Sequence, residues 1–364
     1  MAVEDLFEPM TVRSLTMPNR FAMAPMTRQA SPGGVPGRDV AEYYRRRAAG
    51  EVGLIITEGV RLPDPAAGYP FSIPTLAGDD VLAGWSRVVD AVHGEGGTIA
   101  AQLWHQGVER DDADGVVVVS PSGVDGHGNP KGRALRTDEL PALAEQFAQA
   151  AATAHEVGFD AVELHGAHGY LLDQFFWQKT NLRTDSYGGS LSERTRFPAE
   201  VVAAVRTAVG PDFPVIFRFS QWKGTDYGAS IAADPIELQE LLAPLIDAGV
   251  DMFHPSTRRH YVAAFPETDP DLSLAGWTKK VTGVPVIAVG SVGLQTQFRS
   301  EQPGQLIAPA DVDRLVEQFD AAEFDVVALG RALLADPSWV HRLRTGNLDA
   351  FVGYDPAKAL AALA

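Results

Sequence analysis

Short runs of apolar, often β-branched residues recur along the chain, and a helix-length segment follows most of them. Each run ends in polar or glycine residues. Such runs are typical of strands that are buried on both faces of a parallel sheet. The pattern predicts strands at Phe21–Ala24, Val52–Thr57, Thr98–Leu103, Ala161–Leu164, Val215–Phe219, Val250–Phe253, Val286–Val289 and Val326–Leu329.

The segments between these runs carry apolar residues at helical spacing. In Val81–His93 the apolar positions repeat every three or four residues, which is typical of a helix packed on a sheet by one face. Further helices are predicted at Asp39–Ala49, Leu140–Glu156, Ser192–Val209, Pro235–Ala248, Ala308–Asp320 and Pro337–Leu343.

Eight strands alternating with helices predict an α/β fold, a single (β/α)8 TIM barrel. About 250 residues suffice for such a barrel, so we assign the excess in this 364-residue chain to two insertions. One is a capping insertion after strand 3, residues His105–Arg136, with a short extra hairpin strand at Val116–Val119. The other, Gln295–Gln305, precedes helix 7. An open doubly wound sheet would need a glycine-rich dinucleotide loop, which the N-terminal region lacks. We interpret residues 1–364 as one domain.

Composition and charge narrow the class of protein. The chain is 45% hydrophobic and 21% charged, as expected for a folded protein with a large core. It has no cysteine, which excludes disulfides, zinc-thiolate sites and thiol nucleophiles and is typical of a reducing compartment. Its net charge is −17, so nucleic acid is not expected as a partner. With no targeting segment and no apolar run of about 20 residues, we expect a cytoplasmic protein without membrane contact.

The ends of the last two predicted strands are rich in glycine. Gly290-Ser291 and Gly330-Arg331 stand where barrels often bind phosphate. Glycine lets backbone amides approach an anion closely, and an arginine adds a charged fork. The alternative is that these glycines only form tight turns, but their presence after both strands favours a phosphate site.

The end of the fourth predicted strand carries His165, His168 and Tyr170 within six residues. We interpret them as donors to a substrate oxygen together with a general acid, and we favour this over a metal site. Arg218 and Gln102 each stand in an apolar run and need buried partners. A flat heterocycle with alternating donors and acceptors would satisfy both, although Arg218 has the alternative of pairing with Glu58 or Glu163.

Longer motifs match a known family. They include Thr57-Glu58-Gly59, Gln102-Leu103-Trp104-His105, Glu163-Leu164-His165-Gly166-Ala167-His168-Gly169-Tyr170-Leu171-Leu172 and Asp185-Ser186-Tyr187-Gly188-Gly189-Ser190. In these motifs the chain resembles the Old Yellow Enzyme family of FMN-dependent ene-reductases, and the resemblance runs from Leu6 to Pro337.

The resemblance implies an FMN site. Pro25, Met26, Thr27 and Gly59 are expected to lie beside the flavin ring. Gln102 is expected to pair with the pyrimidine edge of the ring, and Arg218 to lie at its N1 side. The phosphate is expected to be held by Gly290, Ser291, Gly330 and Arg331. A subgroup of the family has cysteine at the position of Thr27, so this chain lies outside that subgroup.

The resemblance also implies a reaction in two halves. NADPH or NADH passes hydride to flavin N5, and the flavin then delivers hydride to the β-carbon of an α,β-unsaturated carbonyl or nitro compound. His165 and His168 are expected to bind the substrate oxygen, and Tyr170 to protonate the α-carbon. Trp104 and Tyr69 are candidate walls of the substrate pocket, with a plain core or rim aromatic as the alternative, above all for Tyr69.

Two loops depart from the family pattern, namely Ser220-Gln221-Trp222-Lys223 and His254–Tyr261. Arg258 and Arg259 offer a site for a nicotinamide phosphate, but we favour a solvated or acid-paired loop. Two other functions remain alternatives: a TIM-barrel lyase acting on a phosphorylated substrate, and a non-catalytic flavin-binding redox sensor. Both a monomer and a homo-oligomer are compatible with the sequence.

Overall fold

The computed structural model of the protein describes residues 3–68, 72–297, 305–310, 312–359 and 363. The strands in this part of the chain are β1 (Met10–Val12), β2 (Leu15–Met17), β3 (Phe21–Met23), β4 (Leu54–Arg61), β5 (Thr98–Trp104), β6 (Val119–Ser120), β7 (Arg133–Ala134), β8 (Ala161–His168), β9 (Val215–Lys223), β10 (Met252–Pro255), β11 (Ile287–Val289) and β12 (Val326–Leu329).

The helices in the same residues vary widely in length, and none is long and apolar enough to cross a bilayer. They are α1 (Arg38–Ala49), α2 (Asp79–His93), α3 (Leu140–Val157), α4 (Leu171–Phe176), α5 (Leu191–Val209), α6 (Pro235–Ala248), α7 (Leu274–Thr282), α8 (Asp313–Asp320), α9 (Arg331–Ala335), α10 (Trp339–Arg344) and α11 (Pro356–Ala359).

All the predicted barrel strands are confirmed. In the described residues they form one parallel sheet in the order β10-β9-β8-β5-β4-β3-β12-β11. Parallel bridges between Phe253 and Val286 and between Ser256 and Val289 join its two outer strands, so the sheet closes on itself. Because the strands run parallel, their carboxyl ends all meet at one rim of this (β/α)8 barrel.

Small and β-branched residues fill the inside of the barrel. A separate cluster of buried side chains, including Ala22, Ile56, Ile216 and Ala328, lies there, away from the larger layer between the strands and the helices. The antiparallel hairpin β1–β2 belongs to this inner cluster. Its turn bonds to the residues that precede β9 and β10, so the hairpin covers the amino-terminal end of the barrel.

The segment between β5 and α3 differs from its prediction. The extra strand is Val119–Ser120, and it pairs in parallel with Arg133–Ala134, so the predicted hairpin strand is wrong. Residues 121–132 contain their own antiparallel bridge between Val124 and Pro130, and this additional reversal makes the outer pairing parallel. Most of the second predicted insertion, residues 298–304, lies outside the described residues.

Two helices begin later than predicted, and several short ones were not predicted. α8 begins at Asp313 because Ile307 and Pro309 form antiparallel bridges with Tyr354 and Leu294. α10 begins at Trp339, two residues beyond Pro337. The helices α4, α7, α9 and α11 span four to nine residues each, too few for an apolar repeat to identify them.

A buried ion pair fixes the connection between β8 and α4. Lys223 Nζ lies 2.7 Å from Asp173 Oδ1, and both side chains are fully buried. The other oxygen of Asp173 accepts the backbone N–H of Gly169, and Lys223 Nζ also donates to the carbonyl of Ser220. Burial raises the pKa of Asp173 to about 6, although the Lys223 ammonium opposes this effect. The pair therefore anchors the turn at residues 168–170.

We predict that Asp173→Asn destabilises the fold at pH 8 by about 3–5 kcal/mol, because it leaves the Lys223 ammonium buried without a counter-charge. Urea unfolding followed by circular dichroism, at constant m value, measures the loss. Glu317→Gln breaks the exposed Arg314–Glu317 pair and serves as the control, with an expected change below about 1 kcal/mol. Equal effects of the two changes would contradict the structural role of the buried pair.

Candidate active site

A cavity of about 760 Å³ opens at the carboxyl ends of the barrel strands. Every predicted site residue in the described part of the chain lines it, and Tyr69 lies outside the described residues. The predicted residues that it brings together are Pro25, Met26, Thr27, Gly59, Gln102, Trp104, His165, His168, Tyr170, Arg218, Gly290, Ser291, Gly330 and Arg331.

Three polar rings share one wall of the cavity at the end of β8. The ring centroid of His165 lies 5.2 Å from that of His168 and 4.9 Å from that of Tyr170. The backbone of His168 has a φ of +65°, and the pairing of β8 with β9 shifts register between Gly166 and His168. A Cβ at Gly166 would lie 2.5 Å from the Phe217 ring, so this turn depends on glycine.

Both histidines of this wall are neutral. Burial and the nearby charge of Arg218 hold the pKa of His165 and of His168 well below the usual range. His165 Nδ1 accepts the backbone N–H of Ala167 at 3.3 Å, which leaves the ring proton on Nε2. His168 Nε2 lies 2.8 Å from Ser256 Oγ.

Below this wall a buried hydrogen-bonded chain crosses three strands. Gln102 Nε2 donates to Glu163 Oε1 at 2.8 Å, and His254 Nδ1 lies 2.5 Å from Glu163 Oε2. Burial works to raise the pKa of Glu163, but His254 and Arg218 outweigh it and bring that pKa below its ordinary value. The pKa of His254 is lowered by burial. Glu163 is therefore an anion, and it accepts a hydrogen bond from the Nδ1–H of His254.

Arg218 brings a cation into the same region. Its Nη2 donates to Ser256 Oγ at 3.3 Å, while its buried Nε has no hydrogen-bond partner within the described residues. Glu58, one of its two expected partners, instead accepts the backbone N–H groups of Arg28 and Gln29. A buried guanidinium with an open N–H fits a bound group that offers an anionic or strong acceptor atom.

The opposite end of the cavity carries the predicted phosphate residues. Arg331, the first residue of α9, donates through Nη2 to Ser291 Oγ at 2.8 Å and to the Thr296 carbonyl at 2.7 Å. Gly290 has a φ of +142°, and a Cβ there would lie 2.6 Å from Thr257 Oγ1. Only glycine fits this position, which keeps the backbone beside Arg331 open.

Pro25, Met26 and Thr27 follow β3 on a further side of the cavity. Gly59 packs closely against Trp104 there, and a Cβ added to Gly59 would lie 2.5 Å from the Trp104 ring. Trp104 in turn lies edge-on to Tyr170, with ring centroids 5.0 Å apart. Gly59 thus lets the indole pack against β4, beside the phenol.

The unusual loops also contribute Trp222, Ser256 and Thr257 to the cavity wall, and the sequence did not single these residues out. Trp222 stacks on His168 with a centroid distance of 4.3 Å and an interplanar angle of 27°. The Oγ of Ser256 is hydrogen-bonded to His168 Nε2 and accepts a hydrogen bond from Arg218 Nη2. The departure of both loops from the family pattern was the available signal. Arg258, in the second of these loops, has its guanidinium carbon 4.2 Å from the centroid of the Tyr227 ring.

The donor set fits flavin mononucleotide. The volume is within the range of small-molecule and cofactor sites, roughly 300–1,000 Å³. Arg331 and Ser291 provide an anion site at one end, and the unpartnered Nε of Arg218 provides a donor for a heterocycle. In the described residues no group of three or more histidine, aspartate or glutamate side chains is placed to hold a metal ion.

Comparison with known proteins identifies the family. Residues 5–349 match the model of the NADH:flavin oxidoreductase / NADH oxidase family. The chain is 34% identical to 12-oxophytodienoate reductase 7 of Oryza sativa subsp. japonica, over 93% of this chain and 87% of that protein. It is 33% identical to an NADH oxidase of Thermoanaerobacter brockii, over 94% of this chain and 51% of that longer protein.

A solved structure of morphinone reductase in complex with tetrahydroNAD has the same fold, with a TM-score of 0.80 and 34% identity. The match covers 97% of this chain and 93% of that one. The chain therefore belongs to the NADH:flavin oxidoreductase / NADH oxidase family, and it is an FMN-dependent, NAD(P)H-linked oxidoreductase of the Old Yellow Enzyme type.

Proposed function

We propose that the protein is an ene-reductase that uses NADH or NADPH to reduce the carbon–carbon double bond of an α,β-unsaturated carbonyl or nitro compound. The observation that carries this proposal is the wall of two neutral imidazoles and one phenol, with ring centroids about 5 Å apart, in a cofactor-sized cavity. Two of the similar proteins, the rice 12-oxophytodienoate reductase 7 and morphinone reductase, are named as reductases. Family membership favours this reading over a lyase or a redox sensor.

His165 and His168 would bind the oxygen of the substrate. Because both rings are neutral, each carries one N–H, and each can donate one hydrogen bond to a carbonyl or nitro oxygen. Such donors become more favourable as negative charge develops on that oxygen. Loss of one comparable oxyanion donor costs about 3–4 kcal/mol of transition-state stabilisation.

Tyr170 would protonate the α-carbon. Its ring is held between Trp104 and His165, so its position does not depend on substrate. Trp104 would form one wall of the substrate pocket, and Tyr69 is proposed for another. FMN, when bound, would supply a hydride to the β-carbon after accepting a hydride from the nicotinamide.

The remaining predicted residues would hold FMN. Arg331, Ser291, Gly290 and Gly330 are proposed to bind its phosphate, since they combine a cation with open backbone at one end of the cavity. Arg218 and Gln102 are proposed to bond the flavin ring, with Pro25, Met26, Thr27 and Gly59 beside it. We propose that residues 1–364 act as one FMN-binding domain.

The role of Tyr170 predicts a split between the two half-reactions. In Tyr170→Phe, reduction of FMN by NADPH or NADH should stay within about twofold of the wild type, because no proton of Tyr170 is used in that step. Reoxidation by an enone should slow about 10²–10⁴-fold. Anaerobic stopped-flow absorbance measures both steps.

Tyr187→Phe is the matched control, because that phenol bonds Glu200 and does not line the cavity. It should leave both half-reactions unchanged. An equal loss of both half-reactions in Tyr170→Phe would rule out the proton-donor role.

The phosphate assignment predicts that Arg331→Ala binds FMN about 10–100-fold more weakly, because a charge-assisted hydrogen bond is lost. Riboflavin, which has no phosphate, should bind both proteins equally. Fluorescence titration of the apoprotein with each flavin measures the two affinities. Arg344→Ala, which removes an exposed arginine paired with Glu51, is the control. An equal loss for riboflavin and FMN would place Arg331 elsewhere in the site.

A further inference from the structure

Ser256 belongs to one of the two loops that depart from the family pattern and is hydrogen-bonded to Trp222 of the other. It follows β10 directly, and its side chain is buried. Its backbone N–H donates to the carbonyl of Phe219 at 2.7 Å, and its own carbonyl accepts Trp222 Nε1–H at 3.0 Å. These contacts hold the backbone of Ser256 in place.

The hydroxyl of Ser256 has two neighbours with different capacities. Its Oγ lies 3.3 Å from Arg218 Nη2 and 2.8 Å from His168 Nε2. A guanidinium only donates, so Oγ accepts from Arg218. Within the described residues His168 Nε2 is then the acceptor in reach of the hydroxyl hydrogen.

This arrangement determines which nitrogen of His168 carries the proton. The ring is neutral and has a single N–H, so an accepting Nε2 requires the proton on Nδ1. Nδ1 has no hydrogen-bond partner among the described residues, and the ring lines the cavity. The other tautomer would leave the hydroxyl hydrogen without an acceptor among the described residues and would present a lone pair at Nδ1.

We propose that Ser256 is a positioning residue, one that fixes His168 as the Nδ1–H tautomer so that the ring offers a donor to the substrate oxygen. Trp222, stacked on the ring, holds its plane. His165 reaches the same donor state by another route, since Ala167 N–H occupies its Nδ1 and leaves the proton on Nε2. The part of this inference that concerns substrate rests on the proposed ene-reductase function.

The first test reads the tautomer directly, without turnover. ¹⁵N NMR of the histidine-labelled, FMN-loaded protein distinguishes protonated from unprotonated ring nitrogens, and a His168→Gln spectrum assigns the signals. We expect a protonated Nδ1 in the wild type and in Ser256→Thr, which keeps the hydroxyl. In Ser256→Ala the proton should move wholly or partly to Nε2. A protonated Nε2 in the wild type would overturn the inference.

The second test follows the kinetic consequence with 2-cyclohexenone as the substrate. Ser256→Ala should slow the enone half-reaction at least about tenfold more than it slows FMN reduction by NADPH or NADH, as expected for a misdirected donor to the substrate oxygen. Ser256→Thr should restore the enone rate to within about threefold of the wild type. An enone rate in Ser256→Ala equal to that of the wild type would overturn the positioning role.

These outcomes separate the inference from the proposed function. If the wild type reduces the enone but its His168 carries the proton on Nε2, the role of Ser256 is wrong and ene reduction stands. If the wild type shows the Nδ1–H tautomer but reduces no enone, the proposed function fails and the tautomer assignment stands. If Ser256→Ala does not bind FMN, the spectra of the wild type and Ser256→Thr decide, because a protonated Nε2 in either overturns the inference.

Discussion

The charge of Arg218, buried within β9, acts on most of the polar groups around it. It helps to lower the pKa of His165, His168 and His254, after burial itself, and it favours the ionised form of Glu163. A cation in this position would be costly without compensation. The Glu163 carboxylate and the Ser256 hydroxyl supply part of it. The Nε of Arg218, which has no hydrogen-bond partner among the described residues, can donate to the cofactor.

The distribution of charge in the cavity is opposite to that of the whole chain. The protein carries a net charge of −17, yet the cavity is lined by Arg28, Arg218 and Arg331, with Glu109 as the acidic residue among the lining residues described. An acidic protein that binds an anionic cofactor has to gather its cations where the anion lies. The buried Asp173–Lys223 ion pair is neutral as a unit, and it anchors the turn that carries His168 and Tyr170.

The barrel was predictable because each of its strands is buried on both faces and therefore reads as an apolar run. The lining residues were predictable because polar groups at the ends of such runs must meet at one rim. The positions of Trp222 and Ser256 in the cavity wall could not be predicted, because the conformation of their loops depends on contacts between residues about 34 positions apart. One such contact joins Trp222 Nε1 to the Ser256 carbonyl. The parallel pairing of β6 with β7 escaped for a similar reason, because local periodicity does not show a second chain reversal.

The proposed ene reduction is tested most directly by the fate of the double bond in an enone turned over anaerobically with NADPH or NADH in D₂O. Mass spectrometry and NMR of the product show which bond is reduced and where solvent deuterium enters. We expect a saturated ketone with solvent-derived deuterium on the α-carbon, delivered through the exchangeable phenol of Tyr170. An allylic alcohol with the carbon–carbon double bond intact would contradict ene reduction.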